Sequence, residues 1–331
     1  MSVAVLSPNL DVTYGRRISG SVQNSSKRSP VITNMPRNCA FVRQRPRASS
    51  DISSPSESPT LTPRYVQQQQ VLGPSSSHIN VGPDAGLEAV LMAAKAQGKT
   101  TLCIWFHFLA GRGADWEHCL KAKIAHQLPW VEWYFPDAPK KPVTNYNGSV
   151  ERCWFDQLEG QVTESMATPG LETSVSRVHA LLRQAEAHGF PSSRILLGGM
   201  SQGGVLAMTA GLSYDKPLAG IMATSAWVPP GLPAFIRQPS TPLMIGNGDR
   251  DGVVPVSMFQ NSVRKLKKAG CSRISTKIYP GLDHTWKDHE CQDVKQFIQV
   301  VAPDTQANIE RPNVAAPMWG FPVEHHAKHC L

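Results

Sequence analysis

The stretch that most constrains this chain is ILLGGMSQGGVLAMTAGL, residues 195–212. It places Gly199-Met200-Ser201-Gln202-Gly203, a G-x-S-x-G, between a short apolar run at Ile195 to Leu197 and an Ala-rich, helix-patterned run with Val205, Leu206, Met208 and Leu212. Strand, sharp turn and helix in that order is the context of a nucleophile elbow. Side chains two residues either side of the serine would crowd the turn, and Gly199 and Gly203 carry none. Such a turn lifts the Ser201 hydroxyl clear of the sheet and aims the Gln202 N–H at a reacting carbonyl as one oxyanion donor.

The rest of the chain supplies a fold around that turn. Leu87 to Gln97 reads as a short helix and Thr101 to Phe106 (TLCIWF) as a buried strand. A loop, His107 to Gly113, leads into a helix through Trp116 and Leu120. Val131 to Phe135 is the next strand, ended by Pro136-Asp137-Ala138-Pro139. Lys140 to Gly170 has no period and reads as a long irregular segment, of the kind that forms lids or binding loops. Leu171 to His188 is an amphipathic helix ended by Gly189. Beyond the elbow come strands at Leu218 to Thr224, Pro242 to Gly246 and Ile274 to Tyr279, with helices at Val256 to Ala269 and Lys287 to Val300. Strands alternating with helices predict an α/β fold with a mostly parallel sheet covered on both faces.

A serine hydroxyl is a weak nucleophile and needs a base, which in turn needs an orienting acid. In α/β hydrolases these follow the serine in the order acid, then His. The turn GDRDGVVP after the PLMIG strand offers Asp249 and Asp251; either could serve only as a turn acid, and Asp251 is preferred. After the last strand, YPGLDHTW places His284 where the base belongs. His289 falls in the following helix, which would carry its ring away from the sheet edge. The second oxyanion donor is expected from the loop after the first strand, at the Leu109 N–H.

Composition sets the surroundings. The chain has 331 residues, is 41% hydrophobic and carries a formal charge of +8. No stretch approaches the ~20 apolar residues of a membrane span. Much of the positive charge sits near the N-terminus, where Arg16, Arg17, Lys27, Arg37, Arg43, Arg45 and Arg47 stand against the acid Asp11. Residues 1–85 are rich in Ser, Pro, Arg and Gln and too poor in apolar residues to offset their ordering entropy, so a disordered tail is expected. The same composition fits an organelle-targeting segment, whereas no secretory leader is expected. Dispersed cations without interleaved aromatics argue against nucleic-acid binding. A polar tail is expected over 304–331, leaving 86–303 as one folded domain. The seven cysteines are scattered and form no C-x-x-C, which points to reduced thiols in a cytosol-like compartment, with no disulfide framework and no zinc site.

GGMSQGG at the elbow, PDAPKKPVTNYNG with the downstream CWFDQ, GDRDGVVP, GLDH and DVKQFI together resemble the acyl-protein thioesterase/lysophospholipase group of the α/β-hydrolases, over about residues 100–302. The resemblance implies an α/β-hydrolase fold without a large cap domain and with no cofactor or metal. It implies Ser201 as nucleophile, Asp251 as orienting acid, His284 as base, and the N–H groups of Leu109 and Gln202 as oxyanion hole. Substrates of the group are thioesters of palmitoylated cysteines, lysophospholipids and small esters. A cytoplasmic enzyme acting on S-acylated proteins or on lipid or small-ester substrates, with transient membrane-surface contact, is therefore expected. Phe108, Trp154, Phe155, Trp227, Leu282 and Trp286 are the candidate apolar walls for an acyl chain. Two departures stand out. The group carries His-Gly-Leu-Gly where this chain has His107-Phe108-Leu109-Ala110, and its acidic loop before the long helix is replaced by QVTESMATPG. If the backbone has φ > 0 at Phe108, the cost is ~1–2 kcal/mol, and loss of an oxyanion donor would cost ~2.7–4 kcal/mol.

Overall fold

The computed structural model describes residues 85–305. The tail, targeting and C-terminal expectations for residues 1–84 and 306–331 lie outside the described residues.

Within 85–305, six strands form one parallel sheet: β1 (Thr101–Phe106), β2 (Val131–Tyr134), β5 (Ile195–Met200), β6 (Gly220–Thr224), β7 (Leu243–Gly248) and β8 (Ile274–Tyr279). Their order is β2-β1-β5-β6-β7-β8. The chain winds one way from β1 to β2 and the other way from β5 to β8. Right-handed crossovers then require the connecting helices to fall on opposite faces. They do. Residues of α1 (Ala85–Ala96), α4 (Leu171–Ala187), α5 (Gln202–Ser213) and α6 (Val256–Lys268) pack with Leu102, Ile104, Leu197, Ile221 and Ile245 on one face. Those of α2 (Gly113–Trp116), α3 (Ala122–Ile124) and α7 (Asp288–Val301) pack with Cys103, Trp105, Leu196, Met222 and Met244 on the other. The reversal between β1 and β5 leaves a crevice at their carboxyl ends, where open α/β sheets bind ligands.

Two elements differ from the sequence expectation. The helix through Trp116 and Leu120 is broken: α2 runs into a π-helical turn, Glu117–Lys121, before α3. The segment 140–170 is not wholly irregular, because β3 (Lys140–Val143) and β4 (Ser149–Arg152) form an antiparallel hairpin. Its five-residue loop, 144–148, is a 3-10 turn over Thr144–Tyr146 closed by Asn147 at φ 54° and Gly148 at φ 81°, left-handed positions that suit Asn and Gly. Lys140-Lys141-Pro142 hides the strand, since it lacks alternation, but Asn147-Gly148 is a readable signal.

Cys103, Cys153, Cys271 and Cys291 are free and buried.

Candidate active site

The elbow is built by two close approaches. A Cβ on Gly199 would lie 2.4 Å from the backbone of Gly203, and one on Gly203 would lie 2.1 Å from the Phe106 carbonyl oxygen. These contacts seat the first turn of α5 against the ends of β5 and β1. Ser201 itself takes φ 54° and ψ −123°, the strained conformation that projects its Oγ above the sheet.

Three side chains from separate loops meet there. His284 Nε2 lies 3.0 Å from Ser201 Oγ, and His284 Nδ1 lies 2.8 Å from Asp251 Oδ2. A carboxylate only accepts, so it holds the proton on Nδ1 and leaves the Nε2 lone pair facing the hydroxyl. Asp251 is kept in place by its other oxygen, which accepts the N–H of Val253 at 2.9 Å and of Val254 at 2.8 Å. All three residues are buried. Asp249 does another job. Its Oδ1 accepts the Gly281 N–H at 2.6 Å, tying the acid loop to the histidine loop. The Arg250 N–H donates to the Leu282 carbonyl at 2.9 Å and makes a second tie. His289 lies in α7 with its ring beside Tyr279, centroids 4.9 Å apart.

The loop after β1 flanks the same crevice. Among the described residues, neither the Leu109 nor the Gln202 backbone N–H donates to a protein acceptor. Phe108 does not take positive φ; Ala110 does, at 61°. The departure from His-Gly-Leu-Gly therefore places its strain at the fourth position. The Ala110 N–H is held by the Arg152 carbonyl at 2.9 Å. Phe108 packs edge-on to Trp116, centroids 6.3 Å apart.

His107 was not singled out from the sequence, yet it anchors this loop. Its Nδ1–H donates to the Phe108 carbonyl at 2.7 Å, and its Nε2 accepts the Ala138 N–H at 2.9 Å. Both bonds are made by one neutral tautomer, and burial agrees with it, lowering the His107 pKa to about 4. Glu290 is a second residue that sequence reading missed. It is 1% exposed in the first turn of α7 and accepts the Lys287 N–H at 2.8 Å. Burial, followed by the nearby charges of Asp293 and Asp251, raises its pKa to about 8 against the opposing pull of Lys287. No sequence signal marks either residue, because each effect comes from burial.

The six candidate wall residues do not gather into one surface. Trp154, Phe155 and Trp227 belong to the core on the α4 and α5 face, with Phe155 and Trp227 edge-to-face at 6.1 Å. Phe108 and Trp286 belong to the core on the other face, where Trp105, Trp116 and Trp286 interlock at 4.9 to 5.5 Å. Leu282 is buried on the histidine loop. The Trp154 indole N–H donates to the His107 carbonyl at 2.8 Å. No group of His, Cys, Asp and Glu among the described residues could hold a metal ion, and no helix there is long and apolar enough to cross a membrane.

The family model for phospholipase/carboxylesterase matches residues 87–302. The chain belongs to that family. It is a serine hydrolase of the α/β-hydrolase fold. It is 32% identical to carboxylesterase SOBER1 of Arabidopsis thaliana over 205 residues, 60% of this chain and 90% of that protein. It is 30% identical to acyl-protein thioesterase 1 of Gibberella zeae over 231 residues, 66% of this chain and 98% of that protein. The crystal structure of SOBER1 superposes with a TM-score of 0.56 at 31% identity, covering 61% of this chain and 98% of that one.

Two outcomes follow from the strain and charge around the site. Ala110→Gly removes a side chain from a positive-φ position and is expected to stabilise the protein by about 1 kcal/mol, read as a higher urea midpoint at unchanged slope; an unchanged or lower midpoint contradicts the strain. The Glu290 carboxyl stays protonated in the fold up to about 8, while in the unfolded chain it ionises near 4.5. Its contribution is thus fully present below 4.5 and is lost as pH rises through 8. Glu290→Gln, which keeps the acceptor for Lys287, should match the wild type in melting temperature at low pH and exceed it above that window. Equal melting temperatures at both ends would show that Glu290 does not carry this effect.

Proposed function

We propose that the protein hydrolyses acyl thioesters or esters through Ser201, His284 and Asp251, and that S-acylated proteins are its substrates. The hydrogen-bonded line from Asp251 through His284 to Ser201, at 2.8 and 3.0 Å, carries this reading. His284 takes the Ser201 proton as Oγ attacks the acyl carbonyl. The N–H groups of Leu109 and Gln202 receive the oxygen that becomes negative. The C–S or C–O bond then breaks, His284 returns the proton to the leaving thiolate or alkoxide, and the acyl group stays on Ser201. In the second half His284 removes a proton from water, which attacks the acyl-serine and releases the fatty acid. Asp251 holds the ring and offsets the imidazolium charge without taking the proton.

Binding energy for a long chain comes from withdrawing methylenes from water, at ~0.8 kcal/mol each. The relative named acyl-protein thioesterase supports a thioester of an acylated protein as substrate. A second reading, a carboxylesterase for short esters, has its own support. Phe108 adds a buried ring beside the oxyanion loop, and the candidate wall residues divide between two cores.

Hydrolysis of a palmitoyl-cysteine peptide, measured beside a short-chain ester with wild type and Ser201→Ala, separates these readings. Cleavage of the palmitoyl thioester by the wild type, with a loss of ~10⁴–10⁶-fold in the variant, is the expected result. Cleavage of the short ester alone would leave the chemistry and replace the substrate. Retained activity in Ser201→Ala would remove the mechanism.

A further inference from the structure

The oxyanion hole as proposed has a mechanical difficulty. Its two donors come from different elements: Gln202 opens α5, whereas Leu109 lies on the loop after β1. The β1 and β5 strands beneath are locked in register, Phe106 opposite Gly199. Above the last ladder bond, that register no longer sets the separation of the two N–H groups. An oxyanion donor must lie within ~2.7–3.1 Å of the developing charge to be useful. The loop also lacks the glycines of its relatives' pattern and holds Ala110 at a strained φ of 61°. Something must restrain it.

The segment 152–155 does so, with four hydrogen bonds that straddle both donors. The Arg152 carbonyl accepts the Ala110 N–H at 2.9 Å, and the Trp154 indole N–H donates to the His107 carbonyl at 2.8 Å. Leu109 sits between those two anchored residues. On the other side, the Gln202 side-chain amide is clasped by the same segment. Its Oε1 accepts the Trp154 backbone N–H at 3.1 Å, and its Nε2–H donates to the Phe155 carbonyl at 3.0 Å. The Trp154 ring lies against Phe106 and His107, centroids 5.3 and 5.0 Å away, and is buried to 2% exposure. Its own carbonyl accepts the Ser174 hydroxyl from α4, which fixes the bridge to the body of the domain.

We propose that Trp154 is a positioning residue for the oxyanion hole, and that the clasp between its backbone and the Gln202 side chain makes the segment a bridge setting the spacing of the Leu109 and Gln202 N–H groups. A bridge of this kind acts in the transition state. Before attack, the substrate carbonyl is neutral and draws little from the two donors. After attack, the oxyanion draws fully on both. Disturbing the bridge should lower kcat and leave ground-state binding alone, a split that loss of general packing would not produce. The inference rests on the proposed mechanism.

The test compares wild type, Trp154→Phe and Ser201→Ala on whichever ester or thioester the wild type turns over. Two ligands with the same acyl chain accompany it: a trifluoromethyl ketone, which forms a tetrahedral oxyanion on the serine, and an inert ether that only occupies the site. Trp154→Phe is expected to lose about ten- to a hundredfold in kcat, bounded by the loss of a whole donor. Its affinity for the ketone should fall by the same factor, with KM and ether affinity within about twofold of wild type on that account. Replacing Trp154 by benzothienylalanine, which exchanges the indole N–H for sulfur at nearly unchanged shape, decides by the same criteria if the phenylalanine variant does not fold. Unchanged kcat, or ketone and ether affinities that fall together, overturns the positioning role. A wild type that fails to bind the ketone, or Ser201→Ala that keeps its activity, overturns the mechanism itself and is told apart by needing no Trp154 variant.

Discussion

The parallel pairing of β1 with β5 is the constraint on which the rest of the site stands. Phe106 lies opposite Gly199 at the top of that ladder, and from there the two chains diverge, one into the loop His107 to Ala110 and the other into the elbow. The pairing brings the Phe106 carbonyl so close to Gly203 that no Cβ fits between them. This contact sets how near the amino end of α5 comes to the β1 loop. Beyond that contact, the spacing of the two proposed donors falls to the segment 152–155. The strain at Ser201 is held by the same packing, since relaxing the turn would require α5 to lift from buried strands on both sides.

Electrostatics around the site is arranged by burial more than by charge. His107 is neutral because it is withdrawn from water, and in that form it both donates and accepts within the loop it supports. Asp251 remains a good acceptor although it is buried, because three donors surround it. Glu290, nearby and equally buried, lacks comparable compensation and keeps its proton.

Much of this was legible from the chain. The elbow, five other strands of the sheet and the order serine, acid, histidine follow from apolar runs and from turn residues at set places. Thr101 to Phe106 and Ile274 to Tyr279 are read to the residue, the elbow strand runs three residues beyond its apolar run, and the other strands are read to within two. The choice between Asp249 and Asp251 rested on pattern, and it is geometry that brings Asp251 to His284 and gives Asp249 to Gly281. The β3–β4 hairpin was missed because lysines and a proline mask its alternation. The roles of His107 and of the Gln202 side chain are not written locally: each depends on a backbone group 31 or 48 residues away. The six apolar wall candidates show the same limit. Their chemistry is plain in the sequence, but the face of the sheet each one joins is set by tertiary packing.

In the proposed mechanism the loop His107-Phe108-Leu109-Ala110 still presents a donor to the oxyanion although Phe108 and Ala110 stand where the resembled group has glycine. The most direct measurement is a crystal structure of the protein with a phosphonate bonded to Ser201 Oγ, whose P–O⁻ oxygen stands where the oxyanion forms. That oxygen is expected within ~2.7–3.1 Å of both the Leu109 and Gln202 nitrogens, with Ala110 still at positive φ. A phosphonate oxygen held by Gln202 alone, with the Leu109 N–H turned away, would contradict it.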